Sequence, residues 1–194
     1  LAEKAIYEAI RKDCNIIFTT TPEFVKASVQ AAIDHPNVKI LNCSLNTSHR
    51  YIRTYYARMY EAKFLMGAVA GAMSENGQLA YIADYPIFGT IANINAFALG
   101  AKMVNPRARV YLEWSTLKDV DIRLAMENIQ KKGVTVVSGK DMVIPEDASR
   151  YFGLYHLTED EPHNLAMPLW HWGKFYEQLI RTIMDGTWKY DDNK

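Results

Sequence analysis

The sequence predicts an α/β fold in which helices flank parallel sheets. Short apolar segments rich in β-branched residues alternate along the 194 residues with longer segments whose apolar positions recur at helical spacing. Parallel strands require crossover connections, and helices of this length supply them. Polar or aromatic residues follow most of the predicted strands, and ligands of such sheets collect at the carboxyl ends of the strands. The same pattern therefore predicts the fold class and the place of a binding site.

The predicted strands are short apolar runs that stop at a turn or at a polar residue. The run 109–114 is an example, because Val110, Leu112 and Trp114 occupy alternate positions, as in a strand. In chain order, the predicted strands are 14–19, 38–43, 78–83, 109–114, 134–138 and 151–156.

The predicted helices are bounded by stop signals. Pro36 follows the second helix, Pro106 follows the fourth, and Gly133 and Gly186 end the fifth and the last. In chain order, the predicted helices are 2–12, 22–34, 56–74, 88–103, 120–132 and 173–185. Small residues around Gly67 predict that the third helix packs closely on a sheet.

The composition argues against several classes of protein. Lys plus Arg and Asp plus Glu both number 22, and this balance disfavours an electrostatic nucleic-acid binder. Cys14 and Cys43 lie in or beside apolar runs, so we expect them to be small buried hydrophobes. The longest apolar stretch, 64–73, is shorter than the about 20 residues that span a bilayer. The sequence opens at Leu1 inside a helical pattern, from which we expect a truncated N-terminus.

Sequence motifs of common enzyme classes are absent. The chain has no Gly-x-Ser-x-Gly elbow, no Gly-x-x-x-x-Gly-Lys phosphate loop, no Gly-x-Gly-x-x-Gly fingerprint and no His-Glu-x-x-His pair. His156, His163 and His171 are spaced seven and eight residues apart, which matches no metal motif. We therefore expect a protein that is not an enzyme and that needs no cofactor or metal ion.

Two carboxylates stand at the ends of predicted strands. Asp84 follows strand 78–83, and Asp141 follows strand 134–138. They are candidates for a pair that performs acid–base chemistry or for single acceptors of hydrogen bonds from a ligand. The second interpretation is favoured because no nucleophile or base stands beside either residue. Taken one at a time, the polar strand ends are equally consistent with ordinary loop chemistry.

Two tryptophans flank His171 just before the last predicted helix. The exposed face of an aromatic ring at a cleft stacks on planar or sugar ligands, whereas a buried ring anchors the helix. Both interpretations stay open for Trp170, and anchoring is favoured for Trp172 and for Trp188.

Several segments resemble the basic membrane lipoproteins, which are purine-nucleoside-receptor-like substrate-binding proteins of ABC transporters. The resemblance is carried first by the helix Arg-Met-Tyr-Glu-Ala-Lys-Phe-Leu-Met-Gly-Ala-Val-Ala-Gly at 58–71. It continues through the strand and Pro-Ile at 79–87, the Asn-Ala-Phe and Val-Asn-Pro pattern at 93–106, and Trp-Gly-Lys-Phe-Tyr at 172–176. It covers about residues 13–189, and the middle block is the most specific.

The resemblance implies a two-lobed, type I periplasmic-binding-protein-like fold with a ligand between the lobes. Residues 1–54 would form the rear of an incomplete first lobe and the hinge, 55–153 the second lobe, and 154–194 a crossover and a helix that returns to the first lobe. The implied partners are a nucleoside-like ligand and an ABC transporter permease. The implied location is the periplasm or the cell surface, through a lipoprotein anchor that precedes Leu1.

An alternative is a ligand-sensing domain of a transcriptional or signalling regulator with the same fold, which would be cytoplasmic. The resemblance also implies site residues, although Asp84-Tyr85 replaces the family's Gly-Gly, and Tyr155 stands where the family has an aspartate for ribose hydroxyls. The predicted ligand-binding residues are Thr20, Thr21, Asp84, Tyr85, Trp114, Asp141, Tyr155 and Trp170.

Overall fold

The chain forms two compact units. The computed structural model describes residues 2–44, 50–84, 88–115, 122–141, 151–158 and 161–188. Unit 1 consists of Leu1–Ala57 and Trp170–Lys194, and unit 2 consists of Arg58–Leu169. The predicted division into lobes and hinge stays a prediction, and each unit is described by itself below.

Helices and strands alternate along most of the chain. The helices are α1 (Ala2–Arg11), α2 (Val25–Asp34), α3 (Met59–Met73), α4 (Phe88–Val104), α5 (Ile122–Lys131) and α6 (Trp172–Met184), with a 3-10 turn at Pro22–Phe24. The strands are β1 (Ile16–Thr19), β2 (Lys39–Cys43), β3 (Arg53–Tyr55), β4 (Gln78–Ala83), β5 (Arg109–Trp114), β6 (Val136–Ser138), β7 (Leu154–His156) and β8 (His163–Ala166). Among the described residues, no helix has the length and apolar character needed to cross a bilayer.

Unit 1 is a parallel sheet with apolar residues packed on both faces. Its strand order is β1-β2-β3, and all neighbours are parallel. Successive residues of β2 point to opposite faces, so Ile40 packs in the cluster with Ile6 of α1, whereas Leu41 packs in the cluster with Leu179 of α6. The sequence pattern does not predict β3, because Arg-Thr-Tyr offers too short an apolar signal.

Unit 2 is a five-stranded sheet in the order β5-β4-β6-β7-β8. The strands β5, β4 and β6 are parallel, whereas β7 pairs antiparallel with β6 and β8 antiparallel with β7. The connection between β7 and β8 is too short to contain a crossover helix, and these two strands therefore pair antiparallel. One face packs under α3 and α4 through residues such as Met66 and Phe97, and the other packs under α5 through Ile129.

Glycines bring the backbones of α3 and α4 into contact. A Cβ atom at Gly67 would lie 2.0 Å from the carbonyl oxygen of Phe97, and one at Gly100 would lie 1.9 Å from the carbonyl oxygen of Phe64. The expectation that these small residues face a sheet is therefore wrong for Gly67, which packs against a neighbouring helix. A helix backbone cannot move aside as a flexible side chain can, so this contact depends on glycine.

Gly67→Ala should destabilise the protein by about 1–3 kcal/mol, because overpacking forces α3 and α4 apart. Gly173→Ala is the matched control, since it lies in α6 and a Cβ atom there meets nothing within 4 Å. Urea unfolding of both variants measures the difference. Equal midpoints for the two variants would contradict the proposed contact.

The cysteines are more accessible than the sequence predicts. Cys14 is exposed, Cys43 is partly buried, and both are free thiols. Cys14 belongs to the turn after α1 rather than to β1, which begins at Ile16, and its apolar neighbours therefore do not bury it. Burial raises the pKa of the Cys43 thiol.

Candidate ligand-binding site

An asparagine joins the carboxyl ends of β1 and β2 in unit 1. The fully buried Asn42 donates from Nδ2 to Oγ1 of Thr19 at 2.7 Å and to the carbonyl oxygen of Thr21 at 2.8 Å. The Thr19 hydroxyl also lies 3.1 Å from the hydroxyl of Ser28 in α2. These contacts hold the chain that follows β1 against β2 and fix the predicted site residues Thr20 and Thr21 at this edge.

Three buried side-chain oxygens at this edge have no hydrogen-bond partner among the described residues. They are Oγ1 of Thr21, Oδ1 of Asn42 and Oγ of Ser44. A buried polar group without a partner costs about 1–3 kcal/mol, and such groups are commonly satisfied by water or by a ligand. Thr20 is exposed beside them. The carboxyl edge of the unit 1 sheet is therefore suited to accept hydrogen bonds from a bound molecule or to donate hydrogen bonds to it.

Aromatic rings pack against the same edge. The Tyr55 hydroxyl donates to the carbonyl oxygen of Thr19 at 3.4 Å and lies 3.0 Å from the Tyr176 hydroxyl. Burial, followed by the hydrogen bond with Tyr176, raises the pKa of Tyr55. Phe18 completes the contact, with its ring centroid 4.5 Å from that of Tyr176.

Trp170 forms the outer member of a stack of rings. Its centroid lies 5.2 Å from that of Trp172 at an interplanar angle of 11°, and Trp172 stacks in turn on Tyr176 at 6.0 Å. Trp172 packs on the apolar cluster of Leu41 and Leu179, as an anchor of α6 does. Trp170 is 43% exposed, which leaves part of the ring accessible to a ligand.

In unit 2, Asp84 at the carboxyl end of β4 contacts the two strands beside it. Its Oδ1 accepts a hydrogen bond from the Ser115 hydroxyl at 2.8 Å and lies 3.6 Å from Nζ of Lys140. Ser115 follows β5 and Lys140 follows β6, so one carboxylate links three strand ends. Trp114 at the end of β5 is partly buried against the apolar cluster that contains Phe97. Tyr85, the other residue predicted here, lies outside the described residues.

Asp141 forms an ion pair with a buried lysine. Nζ of Lys63 in α3 lies 2.7 Å from Oδ1 of Asp141, and the two side chains are 3% and 25% exposed. The Lys63 ammonium also lies 5.7 Å from the centroid of the Tyr81 ring. Burial, followed by the charges of Asp141 and Asp84, raises the pKa of Tyr81.

Tyr155 occupies the opposite face of the same sheet. It is 1% exposed and packs with Val137 and Ile129 in the cluster under α5. Burial raises the pKa of its hydroxyl, and a Cβ atom at Gly139 would lie 3.0 Å from Cε1 of the ring. The structure therefore brings Asp84, Ser115 and Lys140 together. Tyr155 lies on the other face of the sheet from the Lys63–Asp141 pair. The role predicted for Tyr155 stays a prediction.

Two polar residues, Asn42 in unit 1 and Lys63 in unit 2, are not predicted from the strand ends, although each leaves a signal in the sequence. Asn42 is a lone amide inside the apolar run Ile-Leu-Asn-Cys, and Lys63 is a lone charge on the face of α3 that Met59, Met66 and Ala70 bury. A polar side chain at a position whose spacing predicts burial needs a partner, and it is therefore a candidate for a site. Among the described residues, no group of three or more His, Cys, Asp or Glu side chains could hold a metal ion.

Comparison with known proteins identifies the class of protein. Residues 2–144 match the model of the Bmp family, the PnrA-like substrate-binding proteins of ABC transporters. This match covers most of the chain, and the chain belongs to that family. The resemblance noted in the sequence is thereby confirmed. The family consists of substrate-binding proteins of transporters rather than of enzymes.

Two relatives match nearly the whole chain at low identity. A protein of Haloferax volcanii named as an ABC transporter glucose-binding protein, TsgA13, is 26% identical over 98% of this chain and 51% of its own length. A purine-binding protein of Brucella abortus is 27% identical over 97% of this chain and 57% of its own. The chain therefore spans about half the length of these relatives.

Solved structures confirm the fold. A solute-binding protein of an ABC transporter from Conexibacter woesei matches with a TM-score of 0.72 at 14% identity, over 97% of this chain and 68% of that one. A transcriptional activator of the comK gene from Bacillus halodurans matches with a TM-score of 0.73 at 17% identity, over 97% and 69%. The predicted α/β fold of the periplasmic-binding-protein type, with parallel sheets and flanking helices, is confirmed.

Proposed function

We propose that the protein is a receptor that binds a nucleoside-like small molecule and presents it to an ABC transporter permease. The observation that carries this proposal is the edge of the unit 1 sheet. There the buried oxygens of Thr21, Asn42 and Ser44 have no hydrogen-bond partner within the described part of the chain, and a set of aromatic rings packs beside them. A ligand with a planar ring and several hydroxyl or amine groups suits both features.

The names of the relatives support this class of ligand. One is called a purine-binding protein, and purines are planar; the other is called a glucose-binding protein, and glucose carries several hydroxyl groups. A nucleoside combines a planar base with a hydroxyl-rich sugar. The unit 2 carboxylates Asp84 and Asp141 would accept hydrogen bonds from such a molecule. We include Thr20 as a further hydrogen-bonding group, and Trp114 and Trp170 as rings that would stack on the ligand.

The proposal places the protein outside the cytoplasmic membrane, where substrate-binding proteins of this family typically act, with the lipoprotein anchor as its means of attachment. It also holds that the protein binds without catalysis, because the family to which the chain belongs consists of substrate-binding proteins. The same fold in a transcriptional activator shows that the fold alone does not choose between transport and sensing; membership of the transporter family favours transport.

Thermal unfolding in the presence of adenosine, adenine, guanosine or glucose tests the proposal. A ligand that binds only the folded state raises the melting temperature in proportion to the logarithm of its concentration. We expect a rise with at least one of the purine compounds and recovery of that compound unaltered after incubation. Turnover of a nucleoside, or no rise with any of the four compounds, contradicts the proposal.

A further inference from the structure

A charged side chain lies inside the apolar layer between α3 and the unit 2 sheet. Lys63 is 3% exposed, and the cluster around it includes Met66, Ala70 and Tyr81. An ammonium group removed from water requires a counter-charge in good geometry. Asp141 supplies it at 2.7 Å. Since Asp141 is itself 25% exposed, the pair connects the buried layer to the carboxyl edge of the sheet.

Two further polar groups lie on the Lys63 side of the sheet. Tyr81 and Ser138 are partners in the parallel register of β4 and β6, and neighbouring partners in a sheet point to the same face. The Ser138 side chain is fully buried, and its Oγ has no hydrogen-bond partner among the described residues. Tyr81 and Ser138 therefore lie on the face of the sheet that α3 covers, the face on which Lys63 meets Asp141.

Each of the two described carboxylates of this edge has a lysine beside it. Asp141 is paired with Lys63 and Asp84 with Lys140, and the charges of both carboxylates act on the Tyr81 hydroxyl. In each pair the lysine lies against Oδ1, and a carboxylate has about four lone-pair positions in all. A paired carboxylate can thus still accept hydrogen bonds from a ligand while its net attraction for a cation is cancelled.

We propose that Lys63 is a positioning residue that sets the charge selectivity of the site through Asp141. With Lys63 in place, the edge selects an uncharged ligand that donates O–H or N–H groups. Without Lys63, the Asp141 carboxylate is an uncompensated negative charge in a partly buried site, where Coulomb attraction is strong, and the edge selects a cation. This inference rests on the proposed function, because it assumes that Asp141 faces the ligand.

Matched ligands that differ only in charge test the inference. Adenosine is compared with 5′-amino-5′-deoxyadenosine, which is a cation at pH 7, and glucose is compared with glucosamine at pH 6.5. The affinities of the wild-type protein, Lys63→Met and Lys63→Arg are measured by calorimetry. We expect the wild type to prefer the uncharged member of the pair that it binds, Lys63→Arg to keep that preference, and Lys63→Met to shift it at least tenfold toward the cation.

A double variant separates charge balance from a merely structural role. Lys63→Met combined with Asp141→Asn removes both charges, so the edge is balanced again. We expect this variant to regain the preference for the uncharged ligand, even with weakened affinity. A structural role moves both ligands of a pair equally in every variant and leaves the ratio unchanged, which would overturn the inference.

The outcomes also separate this inference from the proposed function. If the wild type binds none of adenosine, adenine, guanosine and glucose, the proposed function fails and the inference fails with it. If the wild type binds adenosine or glucose and folded Lys63→Met keeps the same preference, only the inference fails. Should Lys63→Met fail to fold, Asp141→Asn supplies the decisive ratio: it leaves the Lys63 ammonium uncompensated and should strengthen the preference for the uncharged ligand over the cation, whereas a structural role leaves the ratio unchanged.

Discussion

Replacing Asn42 with aspartate should lower the free energy of unfolding by roughly 2–5 kcal/mol and weaken ligand binding at least about tenfold. The Nδ2 atom of Asn42 donates two hydrogen bonds, to Thr19 and to the carbonyl oxygen of Thr21. A carboxylate of the same shape has no hydrogen to donate and brings a negative charge against both oxygens. The chain after β1, which carries Thr20 and Thr21, would lose its attachment to β2.

Asn37→Asp is the matched control for this variant. It makes the same chemical change at an exposed position beyond α2, where the charge remains in water. Urea unfolding and calorimetry with the ligand identified by thermal unfolding measure both effects. Wild-type stability of Asn42→Asp would show that these hydrogen bonds do not hold the edge together.

Trp170→Ala, which removes the indole ring, should weaken ligand binding by more than about tenfold while lowering the free energy of unfolding by only about 1 kcal/mol. A stacked aromatic pair contributes about 0.5–1.5 kcal/mol beyond its buried area, so the loss of the contact with Trp172 is modest. The larger effect on binding is expected because the partly exposed ring offers a planar surface to a base or a sugar. Trp170→Phe retains a ring and should recover part of the affinity.

Leu169→Ala controls for the loss of exposed apolar surface beside Trp170, since Leu169 is 74% exposed. Calorimetry and thermal unfolding on the same samples decide between the two interpretations of this tryptophan. A fall in affinity with little loss of stability supports a ligand contact. A fall in stability with unchanged affinity supports an anchor for α6 and contradicts the ligand contact.

The periodic part of the fold is predictable from the sequence. Strands β4 and β5 coincide with the predicted runs 78–83 and 109–114, because a buried strand imposes a pattern on every residue. The three-residue β3 and the reversal of β7 and β8 leave no such pattern. Their pairing depends on distant partners and on the length of connections rather than on local propensity.

The candidate site is only partly predictable. The strand ends predict Asp84 and Asp141, since the position after a parallel strand is defined by the fold. They do not predict Lys63, whose partner is 78 positions away in the chain. Tyr155 enters the predicted site only through the family resemblance; the alternation of β7 places its ring on the face under α5, opposite Tyr81, and its role stays a prediction. A position at a strand end predicts the edge of the sheet at which a residue lies, whereas the alternation of side chains along the strand determines which face of the sheet the residue occupies.

The most direct test of ligand binding is mass spectrometry of the small molecules that the protein retains. The purified protein is incubated with a mixture of nucleosides, nucleobases and hexoses, desalted and denatured, and the released molecules are identified and counted. We predict one ring-containing molecule with several hydroxyl or amine groups, chemically unaltered, at about one per chain. Release of no such molecule, or of one that the protein has chemically changed, contradicts a receptor for nucleoside-like ligands.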